Sequence, residues 1–89
     1  MKNIQLHIKG NVQGVGFRYT AKSMARSLGL CGFAKNLPDD TVYIEIEGED
    51  NAVKEFTRWC HRGPERASVD EVIVEEGEIK HYSSFETKF

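Results

Sequence analysis

The chain has 89 residues, of which 39% are hydrophobic and 29% are charged, and its formal net charge is −2. This composition is typical of a small folded domain rather than a disordered chain, so we expect a single domain over residues 1–89. The slight net acidity argues against nucleic-acid binding, which normally requires a basic surface. No apolar run reaches the roughly 20 residues of a membrane-spanning helix, and the first residues lack the apolar core of a signal peptide. We therefore expect a cytoplasmic protein.

The first two predicted elements are a strand and a helix joined by a glycine-rich loop. Apolar and polar residues alternate over residues 3–9, with Ile4, Leu6 and Ile8 on one face, which predicts a strand with one buried side. Apolar residues then recur at helical spacing and predict a helix from Phe17 or Arg18 to Leu28. The stretch between them, GNVQGVGFR over residues 10–18, therefore leads from a strand into the first turn of a helix.

The next part of the chain predicts a hairpin and a second helix. A short strand over residues 31–36 is followed by the turn residues Pro38 to Thr41 and by a strand that alternates over residues 42–47. The sequence Glu49-Asp50-Asn51 is typical of the start of a helix. Gly63 and Pro64 are typical of its end.

Two further strands complete the predicted order. One is marked by Val69, Val72 and Val74, and a last short one lies within residues 81–89. The order β-α-β-β-α-β predicts the ferredoxin-like α+β sandwich, with a four- to five-stranded antiparallel sheet and two helices on one face. This architecture supports many functions, so the fold alone does not identify one.

The residue types used in metal and nucleophilic sites are scattered. His7, His61 and His81 do not cluster with cysteines or carboxylates at metal-ligand spacing, so we expect no metal site and a solvated position for each histidine. The glutamates of the later strands are likewise expected on solvated faces: Glu45, Glu47, Glu75, Glu76 and Glu78. Cys31 and Cys60 are too few for a disulfide framework and are expected to pack as small apolar side chains, although a disulfide between them stays open.

The glycine-rich loop is the best candidate for a binding site. The first N–H groups of a helix have no partner inside the helix, and together with the helix dipole they attract anions. Gly14 and Gly16 lack a Cβ atom and allow neighbouring N–H groups to point inward, while Arg18 adds a forked cationic donor that suits two phosphate oxygens. Judged on spacing alone, an ordinary turn with Arg18 in solvent is slightly favoured over a phosphate site.

Three segments resemble the acylphosphatase family. VQGVGFR, residues 12–18, resembles the signature loop of the family in sequence and in its place after the first strand. GLCGFAKNLPDDTV, residues 29–42, is similar to the second signature, and RGPERASV, residues 62–69, is similar to the segment after the second helix. One departure is Asp40, which stands where glycine is common and makes the conformation of the hairpin turn uncertain.

The resemblance implies an enzyme that hydrolyses the carboxyl–phosphate bond of small acyl phosphates to a carboxylate and orthophosphate, without a metal or other cofactor. It implies that Arg18 binds the phosphoryl group and that Asn36 positions the attacking water. The backbone N–H groups implied to hold the phosphate are those of Gln13, Gly14, Val15, Gly16, Phe17 and Arg18.

Other functions and the state of assembly stay open at this point. We expect a monomer whose only partner is the small-molecule substrate. The alternative is a non-catalytic phosphate-binding or regulatory module of the same fold. An RNA-binding domain is disfavoured, because the outward positions of the first strand are not aromatic and Tyr43 stands nearly alone on the third.

Overall fold

The computed structural model describes all residues from 1 to 89 and contains five strands and two helices. In chain order they are β1 (Lys2–Asn11), α1 (Phe17–Ser27), β2 (Cys31–Asn36), β3 (Val42–Gly48), α2 (Asp50–Arg62), β4 (Ser68–Gly77) and β5 (Phe85–Lys88). Every element predicted from the sequence is present, with β4 extending further than the apolar pattern indicated. Neither helix has the length and apolar character needed to cross a membrane.

The strands form one sheet in the order β4-β1-β3-β2-β5. β1 lies between β3 and β4, so the strand at the start of the chain is an interior strand next to the central β3. The apolar side chains of the sheet join those of α1 and α2 in a single core of 17 buried residues, which places both helices on the same face. The ferredoxin-like α+β sandwich predicted from the element order is confirmed.

The prediction of a wholly antiparallel sheet is wrong at one edge. β5 pairs with β2 in parallel, with Gly32 opposite Phe85 and Lys35 opposite Lys88, whereas all other pairs are antiparallel. The reason is the connection over residues 78–84, which carries the chain from β4 at one edge of the sheet to the opposite edge. After this crossing, β5 runs against β4 and therefore in the same direction as β2.

The prediction that Glu45 and Glu47 lie on solvated faces is also wrong. Their exposed fractions are 2% and 4%, because the connection over residues 78–84 covers the side of β3 that the helices leave free. Asn3 donates to Glu45 Oε2 at 2.8 Å and to Glu47 Oε2 at 2.9 Å, and the Lys80 ammonium pairs with Glu45 at 2.9 Å. The backbone N–H groups of Lys80 and Tyr82 donate to Glu47. Two buried carboxylates thus fasten the connection to the sheet.

The two cysteines are separate free thiols, so the possible disulfide is not formed. Cys60 is fully buried among the apolar residues of α2, and burial raises the pKa of its thiol far above the usual range. Cys31 is half-buried at the start of β2. Both therefore pack as small side chains, as the sequence predicted.

Candidate active site

The loop between β1 and α1 has two glycines in the left-handed region of backbone conformation. Gly14 has a φ of 72° and Gly16, the residue before α1, has a φ of 78°. A Cβ atom at either position would meet no atom within 4 Å. Glycine is therefore favoured there by the backbone conformation and not by crowding, since residues with a Cβ atom adopt this region at a cost.

The backbone N–H groups of this loop are free to bind an acceptor. No N–H group from residue 13 to residue 18 donates a hydrogen bond within the protein. The first backbone donor of this region with a partner is Thr20, whose N–H donates to Gly16 O at 2.9 Å. The first turn of α1 contains no acidic residue and no side chain caps the helix. A run of unpaired donors at the positive end of a helix favours an anion.

Arg18 is held in place at the first turn of α1. Its Nη1 donates to the backbone O of Lys88 at 2.7 Å, and its guanidinium lies 5.0 Å from the centre of the Phe89 ring. The side chain is half-buried rather than extended into solvent. The end of β5 therefore fixes an arginine that lies 70 residues earlier in the chain.

A surface cavity of about 590 Å³ brings the loop, Arg18 and Asn36 together. Gly14, Gly16 and Phe17 line it from the loop, and Asn36 lines it from the end of β2. Gln13 and Val15 belong to the same loop but are not among its lining residues. The structure thus places the two residues singled out as catalytic, Arg18 and Asn36, on the walls of one cavity.

Several lining residues were not identified from the sequence. Lys22 and Arg26 follow Arg18 at intervals of four, and all three line the cavity. That spacing puts them on one face of a helix, so it is a signal that could have identified them. Thr87 and Phe89 also line the cavity. They come from the last strand and its end, and no local pattern could have placed them beside a loop at the start of the chain.

Asn36 lies where β2 enters the hairpin turn. It pairs with Val42 at the last position of the β2–β3 ladder, and its side chain makes no hydrogen bond within the protein. The turn that follows is closed by Leu37 N–H donating to Thr41 O at 2.9 Å and by Asp40 N–H donating to Leu37 O at 3.2 Å. The Asn36 amide is therefore free to bind a ligand at a fixed place in the cavity.

A polar network around Thr41 holds the base of this turn. The Thr41 hydroxyl and N–H donate to Asp39, and the Thr41 hydroxyl lies 2.8 Å from His7 Nε2 on β1. Because the hydroxyl hydrogen points to Asp39, His7 is the donor of the remaining contact. The hydrogen bond from the Thr41 hydroxyl lowers the pKa of Asp39 below its usual value. The expectation that His7 is merely solvated is wrong, since it is half-buried and bound to the turn.

The outer face of the sheet carries an aromatic cluster that the sequence did not indicate. Phe33 packs against Tyr43 and against Tyr82, with ring centres 5.8 and 6.0 Å apart. The buried carboxylates of β3 lie beside the cluster, and β4 carries further exposed glutamates. The Lys88 ammonium lies 4.1 Å from the centre of the Phe33 ring. Tyr43 is therefore not isolated, but the carboxylates of β3 and β4 around the cluster do not suit a nucleic acid. No group of three or more His, Cys, Asp or Glu side chains could hold a metal ion.

Comparison with known proteins is consistent with this site. The sequence model of the acylphosphatase family matches residues 4–87. Acylphosphatase from Archaeoglobus fulgidus is 44% identical over 86 residues, covering 97% of each chain, and acylphosphatase from Thermotoga maritima is 40% identical over 89 residues, covering 100% of this chain and 99% of the other. The crystal structure of acylphosphatase from Bacillus subtilis superimposes with a TM-score of 0.96 at 31% identity, covering 100% of both chains. The chain belongs to the acylphosphatase family.

Proposed function

We propose that this protein hydrolyses the carboxyl–phosphate bond of small acyl phosphates, giving a carboxylate and orthophosphate. The observation that carries the proposal is the set of unpaired N–H groups from residue 13 to residue 18, because Gly14, Gly16 and Phe17 of this set line one cavity with Arg18. Together they offer the density of donors that a phosphoryl group requires. Membership of the acylphosphatase family supports the same assignment.

In the proposed mechanism the loop and Arg18 hold the phosphoryl group and stabilise its charge. The reaction asks mainly for positioning of the reactants and for electrostatic stabilisation of the equatorial phosphate oxygens. The N–H groups of Gln13, Gly14, Val15, Gly16, Phe17 and Arg18 are fixed by the backbone, so they need not reorganise as charge develops. Arg18 adds a permanent positive charge whose position is set by Lys88 and Phe89.

Asn36 is proposed to position the water that attacks phosphorus. Its side-chain amide lines the same cavity as the loop and has no partner in the protein, so it can accept and donate one hydrogen bond each to a water molecule. Holding this water near the phosphoryl group makes the attack effectively unimolecular. The water can transfer its proton to a phosphate oxygen, and the carboxylate leaves without a strong general acid because the anhydride is already activated.

The test is release of orthophosphate from benzoyl phosphate in the presence of EDTA. We expect turnover that chelation does not reduce, because every group in the proposed mechanism belongs to the chain. Loss of activity in EDTA that returns with a divalent metal would overturn the mechanism. Binding of orthophosphate without any turnover would instead favour the non-catalytic phosphate-binding module.

Two substitutions separate the proposed roles. Arg18→Ala should lower kcat/KM by about 100-fold or more and weaken inhibition by orthophosphate, because it removes a charged contact to the phosphoryl group. Asn36→Ala should lower kcat by a similar factor, about 100-fold, while the inhibition constant of orthophosphate changes by less than about threefold. Lys54→Ala, on the exposed surface of α2, is the matched control. Loss of phosphate affinity in Asn36→Ala would contradict the role of Asn36.

The expected cytoplasmic location and monomeric state stay predictions. They rest on the sequence alone. Light scattering of the purified protein should give the mass of one chain over the concentration range used for the kinetic measurements. A larger mass would mean that a second copy has to be considered in any description of the cavity.

A further inference from the structure

The side chain of Gln13 connects the phosphate-binding loop to the hairpin that carries Asn36. Its Nε2 donates to the backbone O of Leu37 at 2.8 Å and to the backbone O of Thr41 at 2.9 Å. Leu37 and Thr41 are the residues whose own hydrogen bond closes the turn, and Leu37 directly follows Asn36. One primary amide therefore spans both sides of the turn with its two hydrogens.

No other hydrogen bond joins the loop to this turn. The ladder between β1 and β3 ends at the pair Ile8 and Val42. Beyond Ile8, β1 pairs only with β4, and the register of that ladder shifts between Lys9 and Gly10. Of the backbone groups of residues 12–16, only Gly16 O takes part in a hydrogen bond, and it accepts from α1. If the Gln13 amide were removed, the nearest hydrogen bonds to the hairpin would be those of β1, at His7 and at the pair Ile8 and Val42.

We propose that the Gln13 side chain is a positioning residue that sets the place of Asn36 relative to the bound phosphoryl group. This inference rests on the proposed function and assigns to the side chain a role separate from the backbone N–H of the same residue. In the proposed mechanism, the loop between β1 and α1 holds the phosphoryl group and Asn36, at the start of the β2–β3 turn, holds the water. The side chain of Gln13 makes the only hydrogen bonds between this loop and this turn. A small displacement between such groups lowers the rate far more than it lowers ground-state binding.

The amide group is specific for this task. A glutamate in its place has the same length but presents acceptors to two carbonyl oxygens, which repel it. An asparagine has the same donors but is one methylene shorter and cannot reach both carbonyls. Methionine fills a similar volume without any donor. Gln13→Asn therefore tests the reach of the amide, and Gln13→Met tests its donor character at similar volume.

The experiment compares Gln13→Met and Gln13→Asn with the unmodified protein on benzoyl phosphate. Both variants should lower kcat by about tenfold while the inhibition constant of orthophosphate changes by less than about twofold. Gln5→Met is the matched control, because Gln5 is also a half-buried glutamine next to β4 and makes no hydrogen bond within the protein. It should keep kcat within about twofold. A loss that falls on phosphate affinity, or unchanged kcat in both Gln13 variants, would overturn the proposal.

A double-mutant cycle with Asn36→Ala tests whether Gln13 acts through Asn36. When the water-positioning amide is already gone, adding Gln13→Met should lower kcat by less than about twofold, since there is nothing left to position. A further tenfold loss in the Asn36→Ala background would show that Gln13 acts elsewhere and would overturn the proposal.

The outcomes also distinguish this inference from the proposed function. If the unmodified protein does not hydrolyse benzoyl phosphate, the proposed function fails before Gln13 is tested. If the unmodified protein is active and the Gln13 variants show equal kcat, only the positioning role fails. Thermal unfolding of each variant, recorded at the temperature range of the assays, ensures that kcat refers to folded protein.

Discussion

Asp40 occupies a backbone conformation that its side chain disfavours. Its φ is 70°, in the left-handed region, where a residue with a Cβ atom costs about 1–2 kcal/mol relative to the right-handed region. Its side chain is exposed, and only its N–H is used, in the hydrogen bond to Leu37 O. The hairpin turn therefore keeps the conformation that glycine would adopt freely, and the departure at this position changes the stability of the turn rather than its shape.

Asp40→Gly should stabilise the protein. The substitution relieves the strain at φ 70°, but glycine gains more freedom in the unfolded chain, so the net gain should be about 0.5–1 kcal/mol. Urea unfolding followed by circular dichroism measures it. Asp39→Gly is the contrasting control and should destabilise, because Asp39 accepts the hydrogen bonds of Thr41. A loss of stability in Asp40→Gly would show that the Asp40 side chain has an unrecognised role in the turn.

Glu47 makes the stability of the fold dependent on pH in the acid range. Burial alone would raise its pKa, but hydrogen bonds from the N–H of Lys80, the Asn3 amide and the N–H of Tyr82 together hold the pKa below its usual value of 4.5. A carboxyl group whose pKa is lower in the folded state stabilises the protein at pH values above its unfolded pKa. That stabilisation is lost as the pH falls through the folded value.

Glu47→Gln should therefore weaken the acid dependence of unfolding. At neutral pH the variant should be less stable by about 2–3 kcal/mol, because a buried amide cannot accept all the donors that face this position. Below pH 4.5 the difference between the two proteins should shrink. Urea unfolding between neutral and acid pH measures both effects. Glu76→Gln, on the exposed part of β4, is the control, and an equal effect of pH on Glu47→Gln and the unmodified protein would contradict the assignment.

At the scale of elements, α1 combines an anion-binding end with a cationic face. Arg18, Lys22 and Arg26 lie four residues apart and line the cavity, and α1 contains no acidic residue. Like charges at this spacing destabilise an isolated helix by about 0.2–0.5 kcal/mol per pair. Arg26 is partly compensated by Glu86 of β5 at 3.7 Å, while Lys22 forms no ion pair. Lys22 is thus the free cation nearest to Arg18 on this face.

Lys22→Gln should reduce capture of the anionic substrate. We expect kcat/KM for benzoyl phosphate to fall by about two- to fivefold at low ionic strength, mainly through KM, because the field of a nearby cation raises the local concentration of an anion. The difference should decrease above about 0.2 M salt, where such fields are screened. Steady-state kinetics across a salt series measure it, with Lys54→Gln on α2 as control. A loss that persists unchanged at high salt would indicate a direct contact instead.

For the whole molecule, the periodic patterns of the sequence predicted which helices and strands form. They did not predict which segments cover the sheet or in which direction β5 runs. The alternation of β3 correctly separated Ile44 and Ile46 from Glu45 and Glu47. It could not show that the irregular segment over residues 78–84 lies on the polar side and buries both carboxylates. The direction of β5 depends on the same crossing. Periodicity describes the faces of one strand and contains no information about a segment that comes from elsewhere.

In the candidate site too, local features were predictable from the sequence and contacts between distant residues were not. The loop was predicted as an anion site from its glycines and its place before a helix, because those are local properties. Asn36 was singled out only through the resemblance of residues 29–42 to a family signature, since a polar residue at a strand end has no local mark of function. The contacts of Arg18 with Lys88 and Phe89 and those of Gln13 with Leu37 and Thr41 join distant parts of the chain, so they required the structure.

The fold contains no covalent cross-link, which leads to a prediction for the whole molecule. Cys31 and Cys60 are free, and Cys60 is buried with a pKa raised far above neutrality. A reducing agent should therefore leave the Tm unchanged within about 1 °C, because no disulfide constrains the unfolded chain. Thiol labelling should modify one cysteine per chain in the native state and two after denaturation, since burial makes Cys60 unreactive. A Tm that falls when the reducing agent is added would show that the two cysteines are not both free thiols.

The bond between Arg18 and the backbone of Lys88 ties the completion of the site to the end of folding. The two residues are separated by 70 positions, so their contact forms only when β5 is in place. A ribosome-bound chain whose β5 has not yet joined the sheet would display the glycine loop with an untethered arginine. During refolding, enzymatic activity should therefore return only when β5 has joined the sheet.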